Sequence, residues 1–431
     1  MSEEQMVLVT GATGFIATHV IQQLLQAGHK VRGSVRSLKN EQKIKPLQEL
    51  HPKAKYPLEL VEADLTSANG WADAVSGCTY VIHMASPFPN EQPSDESEVI
   101  KPAVDGTLIV LKACREARTV KRVVLTSSVA SISGGFDIGG SYTEADWTDV
   151  GTVKQAYLKS KTLAEKAAWD FVRDLPNGEK FELSVINPAF VMGPPLCGGW
   201  ATSMELTKRL LERQMPAVPQ INFSIIDVRD VAAAHIAAMT KAEAAGNRHI
   251  VAAHNLWMKE IAMMYKEEFL QLGYNVPVRE APYFILKLIS LFDKTVRLLL
   301  PAWGKETFYD NTRMHTVLGI EPRPARETVM DMAHSMIQKG FIKTTATYRK
   351  VKLRFLILLC MKLNVLNTLS IDAEDDGNVV SLCARSAKAG STLQTAAPCH
   401  QVCEEMLIVS AGEVAAREGS SLGLEADEAC D

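Results

Sequence analysis

The chain has no excess of positive charge: 46 Lys and Arg stand against 50 Asp and Glu, a net charge of −4. Nucleic acid, which is held largely by neutralising phosphates, is therefore not an expected partner. No apolar run approaches the roughly 20 residues needed to cross a bilayer. Phe355–Met361 is seven residues long, and the run 282–301 is interrupted by Lys287, Asp293, Lys294 and Arg297. The first six residues, Met1-Ser-Glu-Glu-Gln-Met6, are acidic and lack the basic, apolar and small-residue succession of a secretory signal, so a cytoplasmic protein is expected. Cys78, Cys114, Cys197, Cys360, Cys383, Cys399, Cys403 and Cys430 are scattered rather than framed, which fits reduced thiols. Cys399-His400 with Cys403 lacks a second ligand pair, and no metal is expected.

What is present is ordinary globular material, 47% hydrophobic and 22% charged, with a strand and helix alternation of doubly wound α/β type. Met6–Thr10 reads as a buried strand, followed directly by Gly11-Ala-Thr13-Gly14-Phe15-Ile16-Ala17 and an amphipathic helix. In that context Gly11 permits a tight turn, Gly14 lets backbone approach a pyrophosphate, and Ala17 allows close helix packing. The phosphate would sit at the helix N-terminus, beside Thr13, Phe15 and Ile16.

The second strand ends in Arg36-Ser37, not in the carboxylate that would hold an NAD ribose. A cation there suits a 2′-phosphate, which selects NADPH, with Lys43 as a second cation. Further strands end at Asp64-Leu65, placed to meet the adenine end of the cofactor, at Ala85, small enough for the cofactor to lie flat on the backbone, and at Ser127-Ser128. Tyr157 and Lys161 share one face of a helix at i, i+4, a proton donor beside a cation. The cation is expected to stabilise the phenolate and lower the tyrosine pKa. The strand Phe181–Asn187 runs into Pro188 and a turn rich in proline and glycine, the exit from the cofactor half. Helices are expected at 203–215, 231–241, 258–272 and 327–340.

Taken in this order, Gly11–Ala17, Asp64, Ser128 and Tyr157/Lys161 resemble the extended short-chain dehydrogenase/reductases. Thr10–Ile16, Gly33–Ser37, Met84–Phe88, Val123–Ser128, Lys180–Leu183 and Ile226–Ala232 are similar to the group of dihydroflavonol, cinnamoyl-CoA and methylglyoxal-type aldehyde reductases. The resemblance spans roughly residues 4 to 343. It implies a Rossmann-type doubly wound parallel sheet over 1–192, a smaller substrate-binding lobe over 193–343 with segments near 221–253 returning to the sheet, and a poorly ordered extension over 344–431.

It also implies catalysis by Ser128, Tyr157 and Lys161, with NADPH held by Gly11, Thr13, Gly14, Phe15, Ile16, Arg36, Lys43, Asp64, Leu65, Ala85, Tyr157, Lys161 and Pro188. Tyr157 would exchange the proton with a small-molecule carbonyl or alcohol, Lys161 would bind the nicotinamide ribose, and Ser128 would hold the same substrate oxygen. Related epimerases place an acid just after the serine; Val129-Ala130 stand here, which favours simple carbonyl reduction. Ser133 occupies the position of a flavonoid-binding asparagine, against a flavonoid substrate. The alternatives are a 3-hydroxysteroid-type alcohol dehydrogenase and a non-catalytic NADP-binding regulator.

The run 282–301 reads as a core or pocket-covering helix in preference to a membrane contact. Lys343–Lys362 carries six basic and no acidic residues, and an interfacial segment is the alternative there to a docked or disordered one. From Asp372 onward 12 acidic residues face 3 basic ones, and little stable structure is expected.

Overall fold

Short apolar strands separated by amphipathic helices assemble into a seven-stranded parallel sheet. Its members are β1 (Met6–Val9), β2 (Lys30–Val35), β3 (Glu59–Glu62), β4 (Cys78–His83), β5 (Arg122–Thr126), β7 (Glu182–Pro188) and β10 (Arg248–Val251). The spatial order β3-β2-β1-β4-β5-β7-β10 reverses between β1 and β4, the point at which an open α/β sheet presents a crevice to a ligand. The computed structural model describes residues 5–86, 95–134, 139–292, 297, 300–362, 369–371 and 382–384, with side chains up to residue 355. Pro87 and Phe88, Asp293 and Lys294, and the Cys399-His400-Cys403 cluster lie outside the described residues.

Sheet strands buried on both faces need a hydrophobic layer on each side, and the helices supply it. On one side α1 (Phe15–Gln26) and α7 (Val228–Thr240) bury Val20, Ile21, Leu24, Val231 and Ala234 against Val7, Val9 and Ile82. On the other side lie α3 (Trp71–Val75), α4 (Ser97–Ala117) and α5 (Ala156–Arg173), with Trp71, Leu111 and Ala168 packed on Leu8, Val81 and Val123. Inside α4, Gly106 has a reason: a Cβ there would lie 2.9 Å from Cβ of Leu65, so the glycine lets Leu65 settle on the helix.

A second core gathers α6 (Thr202–Leu211), α8 (Met258–Phe269) and α11 (Ala325–Gln338) around β8 (Phe190–Met192) and β9 (Asn222–Asp227). β11 (His254–Trp257) completes a three-stranded sheet with these two strands. The segment 221–253 therefore divides between the sheets, with β9 in the small one and β10 in the large one beside β7. Asp227 and Asp230, both buried, tie the two cores: Arg229 bridges Asp227 to Asp331 of α11, and Arg323 pairs with Asp230.

Of the core or pocket-covering helix expected in the run 282–301, the core reading is corrected. Its described helix, α9 (Tyr283–Ile289), buries no residue, and Phe284 and Phe292 are 70% and 87% exposed. Among the described residues of this run only Ser290 is buried, its hydroxyl bonded to the Lys287 carbonyl. Among the described residues no helix is long and apolar enough to cross a membrane.

Residues Met1–Lys352 form one unit and Leu353–Asp431 a second. The first runs past 343 because Tyr274 donates to the Lys343 carbonyl and stacks edge-on against Tyr348. α12 (Ala346–Lys362) follows. In the second unit Leu369–Ile371 pairs antiparallel with Leu382–Ala384.

Four histidines are sealed in this fold and kept neutral, mainly by burial. His19, His235 and His249 are pushed down to about 4, and His83 to about 3. A histidine that refuses a proton when folded but accepts one near pH 6.5 when unfolded stabilises the fold at neutral pH. That contribution shrinks as pH falls from about 6.5 toward 4. At pH 5 each should cost about 2 kcal/mol relative to pH 7. Calorimetric melts should show a steep loss of Tm over this interval with proton uptake on unfolding; a flat profile would contradict it.

Candidate active site

The glycine turn after β1 is built as its residue types require. Gly11 has φ of +67°, where a side chain is strained, and a Cβ there would lie 3.1 Å from Cα of Ala85. The Gly14 N–H donates to the Gly11 carbonyl at 2.9 Å, closing the turn as α1 begins. Gly33 in β2 lies under it, since a Cβ would meet that of Ala12 at 2.8 Å. Thr10 pins this end of the sheet. Its hydroxyl accepts from the N–H groups of Met84 and Ala85 and bonds His83 Nδ1 at 2.8 Å. Ala85 is thereby held against Gly11, at the switch point.

Thr13, Gly14 and Ile16 are half-buried and Phe15 is buried, all at the N-terminus of α1. The strap around Gly199, a residue that sequence reasoning missed, lies directly over them. A Cβ on Gly199 would fall 2.6 Å from the Thr13 carbonyl oxygen and 2.9 Å from the Phe15 nitrogen. The adjacent pair Gly198-Gly199 was its only signal.

At the other end of the crevice Arg36 follows β2 into solvent. The N–H and hydroxyl of Thr66, and then the Arg36 charge, hold the Asp64 carboxyl below its usual range. Lys43 is exposed in the first turn of α2 (Glu41–Gln48), and Leu65 is half-buried against Gly106. These residues fit a phosphorylated dinucleotide: a cradle that a Cβ would fill, a helix N-terminus for an anion, and an exposed cation beyond β2.

Ser128 closes β5 and caps the short 3₁₀ turn Val129–Ser131, its Oγ accepting from the Ala130 N–H at 3.1 Å. The capping role and a place in the site are compatible, because the same side chain is near enough to Tyr157 to favour its phenolate. Tyr157 and Lys161, both half-buried, rise from α5, with Lys161 Nζ 6.0 Å from the centre of the Tyr157 ring. Pro188 is buried at the end of β7. The fold thus brings Ser128, Tyr157 and Lys161 to one place at the carboxyl edge of the sheet.

The expected lowering of the tyrosine pKa is corrected. Burial raises the Tyr157 phenol above its ordinary value, opposed by the nearby Ser128 hydroxyl. Burial also lowers Lys161 to about 8, with Glu165 opposing. Desolvation outweighs attraction for both groups, because each loses water that neighbouring side chains replace only in part.

Behind this trio Val129 and Ala130 are buried, and no carboxylate follows the serine. Ser133 is buried with its hydroxyl 2.7 Å from that of Tyr309. Tyr309 arrives on β12 (Thr307–Tyr309), which pairs in parallel with β6 (Gly140–Tyr142), and burial pushes its phenol up to about 12. Among the described residues no group of His, Cys, Asp and Glu could hold a metal.

Residues 7–253 match the NAD dependent epimerase/dehydratase family. Dihydroflavonol 4-reductase of Hordeum vulgare is 36% identical over 284 residues, 64% of this chain and 77% of that protein. Among solved structures, yeast methylglyoxal/isovaleraldehyde reductase Gre2 complexed with NADPH is 30% identical, with a TM-score of 0.64 over 78% of this chain and all of that one. Gre2 of Candida albicans in its NADPH complex gives 30% identity and a TM-score of 0.64 over 78% of this chain and 99% of that one. The chain belongs to the NAD dependent epimerase/dehydratase family, within its extended short-chain dehydrogenase/reductase branch of oxidoreductases.

Proposed function

We propose that this protein reduces the carbonyl of a small aldehyde or ketone to an alcohol with NADPH, Tyr157 donating the proton. The observation that carries the reading is the convergence of Ser128, Tyr157 and Lys161 at the crevice end of β5: the Ser128 side chain acts on the Tyr157 phenol, and Lys161 lies one turn along α5 with its Nζ 6.0 Å from the centre of that ring. When bound, NADPH supplies the hydride. Negative charge then grows on the carbonyl oxygen, and the hydroxyls of Ser128 and Tyr157 are two donors that meet it as it develops. Tyr157 gives up its proton there, and the Lys161 ammonium lies on the same helix face to offset the resulting charge.

NADPH-bound reductases among the similar structures support the cofactor, and the exposed Arg36 after β2 supports the 2′-phosphate form. Simple reduction is favoured over epimerisation because the residues after Ser128 offer no further acid or base. Ser133, engaged by Tyr309, argues against a flavanonol held at that position.

The test is NADPH consumption across small aldehydes, diketones, aryl ketones and flavanonols. Turnover is expected with at least one of the first three classes and little with flavanonols. A pure, folded protein that oxidises NADPH with none of the panel would overturn the reading.

A further inference from the structure

We propose that Glu165 is a positioning residue of this reaction: its buried carboxylate locks the serine loop onto the catalytic helix and supplies the negative field at the Lys161 ammonium. The inference rests on the reductase reading. Tyr157, Lys161 and Glu165 are spaced at i, i+4 and i+8 on α5, so all three share one face. The Glu165 side chain is fully buried.

One of its oxygens, Oε2, receives the hydroxyls of Ser127 and Ser131, each at 2.5 Å, and Nδ2 of Asn187 at 2.9 Å. The other, Oε1, receives Nε of Arg248 at 2.6 Å. Ser127 and Ser131 flank Ser128, and Asn187 also donates to the Ser128 carbonyl at 3.2 Å. A single carboxylate therefore fixes the β5 turn, β7 and β10 to the helix that carries the tyrosine and lysine.

Packing alone does not account for it. Burying a carboxylate with an arginine costs desolvation on both sides, and apolar residues of similar volume often hold a fold as well or better. What apolar residues cannot supply is a negative charge near a desolvated lysine. Lys161 is faced by Tyr157 and Glu165 from its own helix and by His83 from β4, which burial keeps neutral. Glu165 is faced by Arg248, whose charge offsets part of its field and spreads over the Trp147 ring, 3.7 Å from the guanidinium carbon. Among these groups only Glu165 favours the Lys161 cation.

The test is Glu165→Gln in the full chain. The pH at which Lys161 becomes half-modified by acetic anhydride, read by peptide mass spectrometry, should fall by about one unit. The kcat for the best carbonyl substrate should drop of order tenfold or more, with its KM little changed. Should the single variant not fold, Glu165→Gln with Arg248→Met removes both charges together; the Lys161 midpoint should then fall by less, because the opposing arginine charge is gone as well, and kcat should still drop. An unmoved Lys161 midpoint overturns the proposal. So does a double variant with wild-type kcat, or failure of both variants to fold, which would leave Glu165 a stability residue only. The labelling does not depend on turnover, so a lost reductase reading, seen as no NADPH oxidation by the parent protein with any of the carbonyl panel, is distinguishable from a lost role for Glu165.

Discussion

Replacing Tyr157 with phenylalanine is expected to lower kcat by about 10²–10⁴-fold, with NADPH affinity changed far less. The ring fills the same space, so the half-buried site should keep its packing. The proton given to the substrate oxygen is lost, and with it the phenol on which Ser128 acts. Ser128 remains as a single donor, which stabilises developing charge but cannot complete the alcohol. The pH dependence of the parent enzyme should carry a second mark of the same site. Because burial lowers Lys161 to about 8, its cation is present below that pH and lost above it. Reduction should therefore decline on the alkaline side near pH 8, well before the tyrosine, raised by burial, would itself ionise. A Tyr157→Phe protein with parental turnover would remove this residue from the chemistry.

The parts of the site that local spacing specifies are legible in the sequence. A strand, a glycine turn and a helix within the first thirty residues need only short-range rules, and β1, Gly11 and α1 follow them. Tyr157 and Lys161 at i, i+4 are a property of one helix. Glu165 lies on that same face, yet in sequence it is one more helical carboxylate. Its meaning depends on Arg248, 83 residues away, which becomes its neighbour only when β10 joins β7. Gly199 likewise gains a role only when its strap lies over the Thr13 carbonyl. The pKa of Tyr157 was misread for a related reason, since attraction between two residues can be counted from spacing but desolvation depends on everything that surrounds them. The core reading of the run 282–301 fails in the opposite direction over its described residues, because apolar content marks what could be buried and not whether another element arrives to cover it.

Changing Arg36 to glutamate is expected to reverse the cofactor preference. Arg36 leaves the end of β2 with its side chain in solvent, and its charge reaches the Asp64 carboxyl across the crevice end. The turn that carries it is held from below, where Glu62 of β3 accepts the Leu38 N–H at 2.6 Å, so a substitution at 36 should leave the backbone in place. A guanidinium can pair with a 2′-phosphate through two hydrogen bonds, and a carboxylate there would repel it. The loss should raise KM for NADPH about a hundredfold, the worth of one or two charge-assisted bonds. A carboxylate at the end of this strand is also what a ribose 2′-hydroxyl takes, so KM for NADH should fall or hold. Two controls separate this from general damage. The parent enzyme's KM for NADPH should rise with ionic strength, since the contact is exposed and screened, while that for NADH should respond less. The variant should melt with the parent, because an exposed strand-end charge contributes little to stability. If the ratio of kcat/KM for the two cofactors does not move, the 2′-phosphate is held elsewhere, with Lys43 in the first turn of α2 the next cation to replace.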